Sequence, residues 1–217
     1  MTAEQLKAYI EIRNSAMTFL ENDKMMSAPT ILTQIIRLHQ ITCGHFKSDD
    51  GEVIPLKNNR LQELLNVLEE TNGKVIIWAV YRHDIQTIEK GIGEIYGKES
   101  VASYYGDTPD SDRQSIVDSF QDSESPLRFF VGNPKTGGYG LTLTASHTVV
   151  YYSNDYSLEI RMQSEDRAHR IGQTNKVTYV DLIAEGTIDE KIVKALNNKI
   201  DLASQVMGED PKKILFD

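Results

Sequence analysis

The chain has 217 residues, a formal net charge of −9 and a single cysteine. That length suffices for an α/β domain with a sound core, while the acidic balance excludes a protein that holds nucleic acid through a broadly positive surface, so any DNA contact must be local or come from outside the chain. One cysteine excludes an internal disulfide framework and fits a reducing compartment, no apolar run approaches a membrane span, and Met1 to Leu20 is charged and amphipathic rather than a signal peptide.

Helical spacing over Thr2 to Leu20 and Pro29 to Cys43 predicts two opening helices, followed by a polar loop from Phe46 to Pro55 that turns at Asp49-Asp50-Gly51. His39, Cys43 and His45 lack a partner pair elsewhere and read as packing residues, so no metal site is expected there. Leu61, Leu64, Leu65 and Leu68 give the next helix an apolar face. A strand at 75–80, a helix from about Asp84 and a strand at 101–105 follow. Thr108-Pro109 reads as an N-cap with proline at the first helical position, opening the helix that carries Ile116, Val117 and Phe120. Strands near 127, 148 and 177 come next, and Thr187-Ile188-Asp189-Glu190 has the pattern of a capping box before the last helix, with its acids placed to favour the helix dipole. Strands separated by helices predict a mainly parallel sheet covered on both faces.

Two stretches carry chemistry. Val131 to Leu143 reads VGNPKTGGYGLTL, directly after an apolar strand. A glycine-rich turn at a strand end is how parallel α/β proteins bring backbone N–H groups close to a phosphate, although glycines make plain turns more often. Gln163 to Gln173 reads QSEDRAHRIGQ. At a helical advance of about 100° per residue, Gln163, Asp166, Arg167 and Arg170 project from one side and form one wall of a polar site. Two permanently charged guanidiniums with planar donor forks suit the equatorial oxygens of a transferring phosphoryl group. On spacing alone, Asp166 and Arg170 also read as an ion pair on a solvated helix face.

In their order these segments resemble the second RecA-like lobe of the Swi/Snf-type branch of the superfamily 2 helicase-like ATPases. The resemblance runs from Ile36-Arg37-Leu38-His39-Gln40-Ile41 through Lys74 to Ala79, Tyr105-Gly106-Asp107 and Lys135 to Leu143, and it is most specific at QxxDRxxRIGQ. It departs from the common pattern at Asn133-Pro134, where Ser-Thr is usual, at Thr142, where asparagine is frequent, and at Tyr156-Ser157-Leu158, where Trp-Asn-Pro is common. These changes and the short connections resemble compact prokaryotic or phage-type members, which implies the cytoplasm of a prokaryotic or phage-infected cell.

The resemblance implies an α/β fold: a RecA-like, mainly parallel sheet with helices on both faces. A helical segment over 1–56 would precede the lobe at 57–205, and a tail would occupy 206–217. It further implies an ATP-dependent translocase on double-stranded DNA in which Arg167 and Arg170 stabilise charge on the γ-phosphoryl. Gly138, Gly140, Gln163 and Asp166 would shape the nucleotide-facing surface between lobes, and Lys135, Thr136, Arg82 and Asn133 would touch the DNA backbone. No GxxxxGK[ST] loop occurs, so ATP and Mg2+ are expected on a first RecA-like lobe that this chain lacks, and the chain alone is expected to be inactive. The alternative is a non-catalytic lobe that binds DNA or a protein. No membrane partner is expected.

Overall fold

The computed structural model describes residues 1–21, 28–48, 50–136 and 140–198. Its contacts divide the chain into two units. One comprises 61–155 and 159–182, the other 1–60, 156–158 and 183–217.

The larger unit is built on five parallel strands. Among the described residues, the helices are α1 (Ala3–Glu21), α2 (Ala28–Cys43), α3 (Arg60–Glu69), α4 (Arg82–Tyr96), α5 (Asp110–Gln121), α6 (Leu158–Glu165) and α7 (Ile188–Asn197). The strands are β1 (His45–Lys47), β2 (Val53–Pro55), β3 (Lys74–Trp78), β4 (Val101–Tyr104), β5 (Phe129–Gly132), β6 (Ser146–Tyr151) and β7 (Thr178–Asp181). The main sheet runs β4-β5-β3-β6-β7, every neighbouring pair parallel. Strand periodicity sorts its side chains. Val75, Ile77, Phe129, Val131 and Val150 form one core with Leu64, Leu68, Ile85, Ile88 and Ile92 of α3 and α4. Ile76, Trp78, Phe130, Val149 and Tyr151 form the opposite core with Val117 and Phe120 of α5. Strands buried on both faces explain the uninterrupted apolar runs seen in the sequence. At Gly132 a Cβ would lie 2.8 Å from the Trp78 ring and 3.2 Å from the Tyr104 carbonyl oxygen, so only glycine lets β5 pass beneath that indole.

Two local expectations fail in this unit. The helix expected from Pro109 begins at Asp110, with Pro109 itself in the cap position. Thr108 does not cap it, because its hydroxyl accepts the Tyr105 N–H (3.0 Å) and donates to the Ser103 carbonyl (3.0 Å), closing the turn behind the helix. The helix expected to carry both arginines ends at Glu165, and Asp166 to Arg170 form turns and bends.

In the smaller unit, α2 stops at Gly44, whose φ of +94° continues the chain where an L side chain would be strained. The stretch from Phe46 to Pro55, expected as a loop, contains the antiparallel hairpin β1-β2, with His45 opposite Pro55 and Lys47 opposite Val53. Three-residue strands are too short to show a period. Tyr9, Ile35, Leu38 and Ile41 form a core with Ile188, Ile192, Ala195 and Leu196 of α7.

Thr187 caps α7, its hydroxyl accepting the Asp189 N–H at 3.2 Å. Asp189 lies in the first turn of α7 as expected, and its carboxylate is also buried in a polar network. It is 4% exposed and ion-paired with Arg60, and it accepts the Thr42 hydroxyl at 2.6 Å and the Ala184 N–H at 3.0 Å, with His39 Nε2 3.9 Å away. Burial pushes its carboxyl upward, but Arg60, His39 and these hydrogen bonds outweigh that and hold it below the ordinary carboxylate value.

A carboxyl with a depressed folded pKa contributes stability above its unfolded pKa and loses it as pH falls through the folded one. Denaturant unfolding followed from pH 7 down to pH 2 should therefore show a loss of stability below about pH 4, and Asp189→Ala should cost about 3 kcal/mol at neutral pH because it removes the buried ion pair to Arg60 together with the acceptor for Thr42 and Ala184.

Candidate functional site

The C-terminal ends of β3, β4, β5 and β6 meet at one edge of the sheet, where open α/β folds present ligand-binding loops. Asn133, just beyond β5, donates from Nδ2 to the Val80 carbonyl (2.7 Å) and accepts the Lys135 N–H on Oδ1 (2.9 Å). Its amide is thus committed to joining two strand ends. Lys135 Nζ reaches the buried Asp155 beyond β6 at 3.0 Å, with the lysine side chain 60% exposed. Arg82 pairs with Asp107 at 2.7 Å, both exposed. Thr136 is half-buried, Gly140 is exposed with φ +80°, and Gly138 lies outside the described residues. The predicted backbone-contact residues therefore collect at this edge, and its two cations already have carboxylate partners.

The arginines are organised by a different element, the loop that enters β6. The Leu143 N–H donates to the Arg167 carbonyl at 3.0 Å. Arg167 donates from Nε to the Gln163 carbonyl (3.0 Å) and from Nη1 to the Leu141 carbonyl (3.4 Å). Arg170 Nη1 donates to that same Leu141 carbonyl (3.4 Å) and to the Thr142 hydroxyl (2.8 Å). The two residues expected to share a helix face instead converge through a turn, and they meet on one oxygen. Arg167 is half-buried and Arg170 exposed. Burial first, and the neighbouring Arg170 charge second, lower the pKa of Arg167 against the opposing pull of Asp166. Like charges gathered on a single carbonyl leave the spot short of negative charge, which is what an anion would supply.

Gln163 does not orient either arginine with its side chain. Its amide turns back along α6 to Glu159 (2.9 Å), and only its carbonyl meets Arg167. Asp166 is exposed and lines a cleft of ≈ 400 Å³ with Glu165, His169, Lys176 and Tyr179. Burial, then the Glu165 charge, push the Tyr179 hydroxyl up to about 12.

Two supporting residues escaped the sequence reading. Gln173 Nε2 lies 3.0 Å from the Thr144 carbonyl, 2.9 Å from that of Ser146 and 3.3 Å from that of Ala168, fastening the arginine turn to the start of β6. Arg161 sits 3.5 Å over the Tyr151 ring and donates to Asn154 (2.6 Å), Asp181 (2.5 Å) and Glu165 (2.6 Å), tying α6 to β6 and β7. Burial works against its charge, but Asp181, Tyr151 and Glu165 more than offset this and raise its pKa. The only sequence signal for Arg161 is its i,i+4 spacing from Glu165. Gln173 has none beyond its place in the motif.

Residues 56–172 match the family described as "Helicase conserved C-terminal domain". The chain belongs to that family. This helicase C-terminal domain is 27% identical over 206 residues, 94% of its length, to "ATP-dependent helicase fft2" of Schizosaccharomyces pombe. It is 35% identical over 149 residues, 69% of its length, to "Chromatin-remodeling ATPase INO80" of Mycosarcoma maydis. The chain spans only 16% and 8% of those two relatives. Its fold matches the "Sulfolobus solfataricus SWI2/SNF2 ATPase core in complex with dsDNA" with a TM-score of 0.74 at 22% identity, covering all of this chain and 46% of the other. The RecA-like α/β fold and the helicase C-terminal lobe are therefore as the motifs implied. The expected prokaryotic or phage-infected cytoplasm is not: the sequence relatives are eukaryotic ATPases, and INO80 is a chromatin remodeller. Short connections between motifs do not single out a prokaryotic member, since these eukaryotic relatives match the same stretch of chain.

Removing Arg161 takes the counter-charge from Asp181, leaving it the Asn154 amide (2.8 Å), and frees α6 from β6 and β7. Arg161→Met should lower stability by about 3 kcal/mol, and Arg161→Lys should recover only part of it because an ammonium lacks the planar fork, both read from urea denaturation.

Proposed function

We propose that this domain is the second lobe of an ATP-dependent translocase on double-stranded DNA, and that its arginine turn completes a nucleotide site carried by a first RecA-like lobe. The observation that carries this reading is the convergence of Arg167 and Arg170 on the Leu141 carbonyl, with Arg170 still exposed. Support also comes from the relatives, a helicase and a remodelling ATPase by name, and from the structural neighbour, an ATPase core solved with double-stranded DNA.

The donor set present fits part of an ATP site. Guanidiniums suit phosphoryl oxygens, whereas among the described residues no group of three His, Cys, Asp or Glu side chains could hold a metal ion. In this reading the first lobe would hold the nucleotide and Mg2+, which when bound would supply charge neutralisation at the phosphates, and the chain alone turns over no ATP. Arg170 reaches across on lobe closure and stabilises charge developing on the γ-phosphoryl oxygens. Arg167, held by two backbone carbonyls, keeps a second positive charge beside it and fixes the turn. At the strand-end surface Arg82 exchanges its carboxylate partner for a DNA phosphate, Lys135 presents its exposed side chain to another while still tied to Asp155, and Asn133 and Thr136 shape the loop between them. Closure favoured by nucleotide and released by hydrolysis would advance the lobes along the duplex.

Combining the chain with a Swi2/Snf2-type first lobe should generate DNA-stimulated ATPase activity. Arg170→Ala should lower kcat by about three orders of magnitude, and Arg170→Lys should restore little. No gain in turnover on mixing, or a gain indifferent to Arg170→Ala, would make the domain a non-catalytic binding module instead. In the same assembly, Lys135→Ala should weaken binding to duplexes of different sequence alike and reduce the slope of log affinity against log salt by about one phosphate contact.

A further inference from the structure

Arg170 combines exposure with a definite direction, and one side chain accounts for that direction. Its Nη1 donates to the Thr142 hydroxyl at 2.8 Å, whereas its contact to the Leu141 carbonyl is a long 3.4 Å. A guanidinium on a flexible stem, at the surface and beside a second guanidinium, would otherwise sample many rotamers. Thr142 is itself placed by ties on the residues that follow it. The Leu143 N–H donates to the Arg167 carbonyl (3.0 Å), and the Gln173 amide lies within hydrogen-bond distance of the carbonyls of Thr144 (3.0 Å) and Ser146 (2.9 Å). The hydroxyl therefore stands on a segment held in register with the turn it serves. Being β-branched, Thr142 has few χ1 choices, so the acceptor is itself pre-oriented.

We propose that Thr142 is a positioning residue for Arg170: its hydroxyl accepts one Nη1 hydrogen and holds the guanidinium extended, leaving the remaining N–H donors for the phosphoryl oxygens. This rests on the reading of Arg170 given above. It assigns the departure at 142 a role, since a short β-branched hydroxyl takes up the arginine without bringing a competing donor fork of its own, as a side-chain amide would.

The test has two arms. In the isolated chain, NMR of the Arg170 guanidinium should show restricted rotation in the wild type and in Thr142→Ser, and faster averaging in Thr142→Val, with the thermal midpoint unchanged. In the two-lobed ATPase, Thr142→Val should lower kcat about tenfold at unaltered KM for ATP, Thr142→Ser should restore it, and Thr142→Val should have no further effect in an Arg170→Ala background. Should the valine variant fail to fold, Thr142→Ala carries the same expectations. An Arg170 side chain equally restricted without the hydroxyl overturns the proposal. So does an unchanged kcat, or an additive loss in the Arg170→Ala background. These results are distinct from failure of the underlying reading. If Arg170→Ala is silent, that reading falls and this inference with it; if Arg170→Ala is severe while Thr142→Val is silent, the inference falls alone.

Discussion

Backbone ties between the loop entering β6 and the turn after α6 are the constraint on which the site depends. The Leu143 N–H meets the Arg167 carbonyl, and the Gln173 amide spans carbonyls from both segments. Two guanidiniums repel one another, and side-chain preference alone would spread them apart. They remain near the Leu141 carbonyl because the chain beneath them is fixed, and because Arg167 is also held by the Gln163 carbonyl and Arg170 by the Thr142 hydroxyl. Arg161 secures the same region from behind by locking α6 to β6 and β7. The positive charge is thus pre-organised, the condition under which an electrostatic site stabilises a transition state without reorganising as charge develops.

The acidic balance of the chain has its counterpart at the strand-end surface. Lys135 and Arg82 are exposed, yet each faces a carboxylate, Asp155 and Asp107. The Arg82–Asp107 pair, exposed on both sides, contributes little to stability and is easily exchanged for other anions, whereas Lys135 is an exposed lysine anchored to a buried carboxylate. In the proposed function, the Arg82 pair is the one that exchanges more readily for a phosphate, and Lys135 offers its exposed side chain while still tied to Asp155.

How much was legible in the sequence differs from element to element. The five strands of the main sheet and their helices follow from apolar runs long enough to show their period. The family followed from residue order in the two motifs. The extent of the arginine helix did not follow, because helical spacing at Gln163, Arg167 and Arg170 is equally compatible with a turn that lets both side chains reach one carbonyl. The hairpin at 45–55 was hidden by its three-residue strands, and Thr108 read as a cap because its hydroxyl's true partners, at 103 and 105, lie behind the helix. The motif departures and short connections, read together as marks of a prokaryotic or phage-type member, were uninformative, since eukaryotic relatives match the same stretch of chain.

The sequence by itself determined the class of fold, the family and the identity of the cations, because those are written in periodicity and in residue types whose charge and shape do not depend on context. Tertiary structure alone decided which groups those cations meet. It brought residues 26 and 29 positions apart onto a shared oxygen, turned the Gln163 amide away, and made the helix-end acid Asp189 also the buried partner of Arg60, 129 positions distant in the chain. A hydrogen bond or ion pair needs atoms within a few ångströms, and no local pattern encodes which distant segments the packing of the sheet and helices will carry that close.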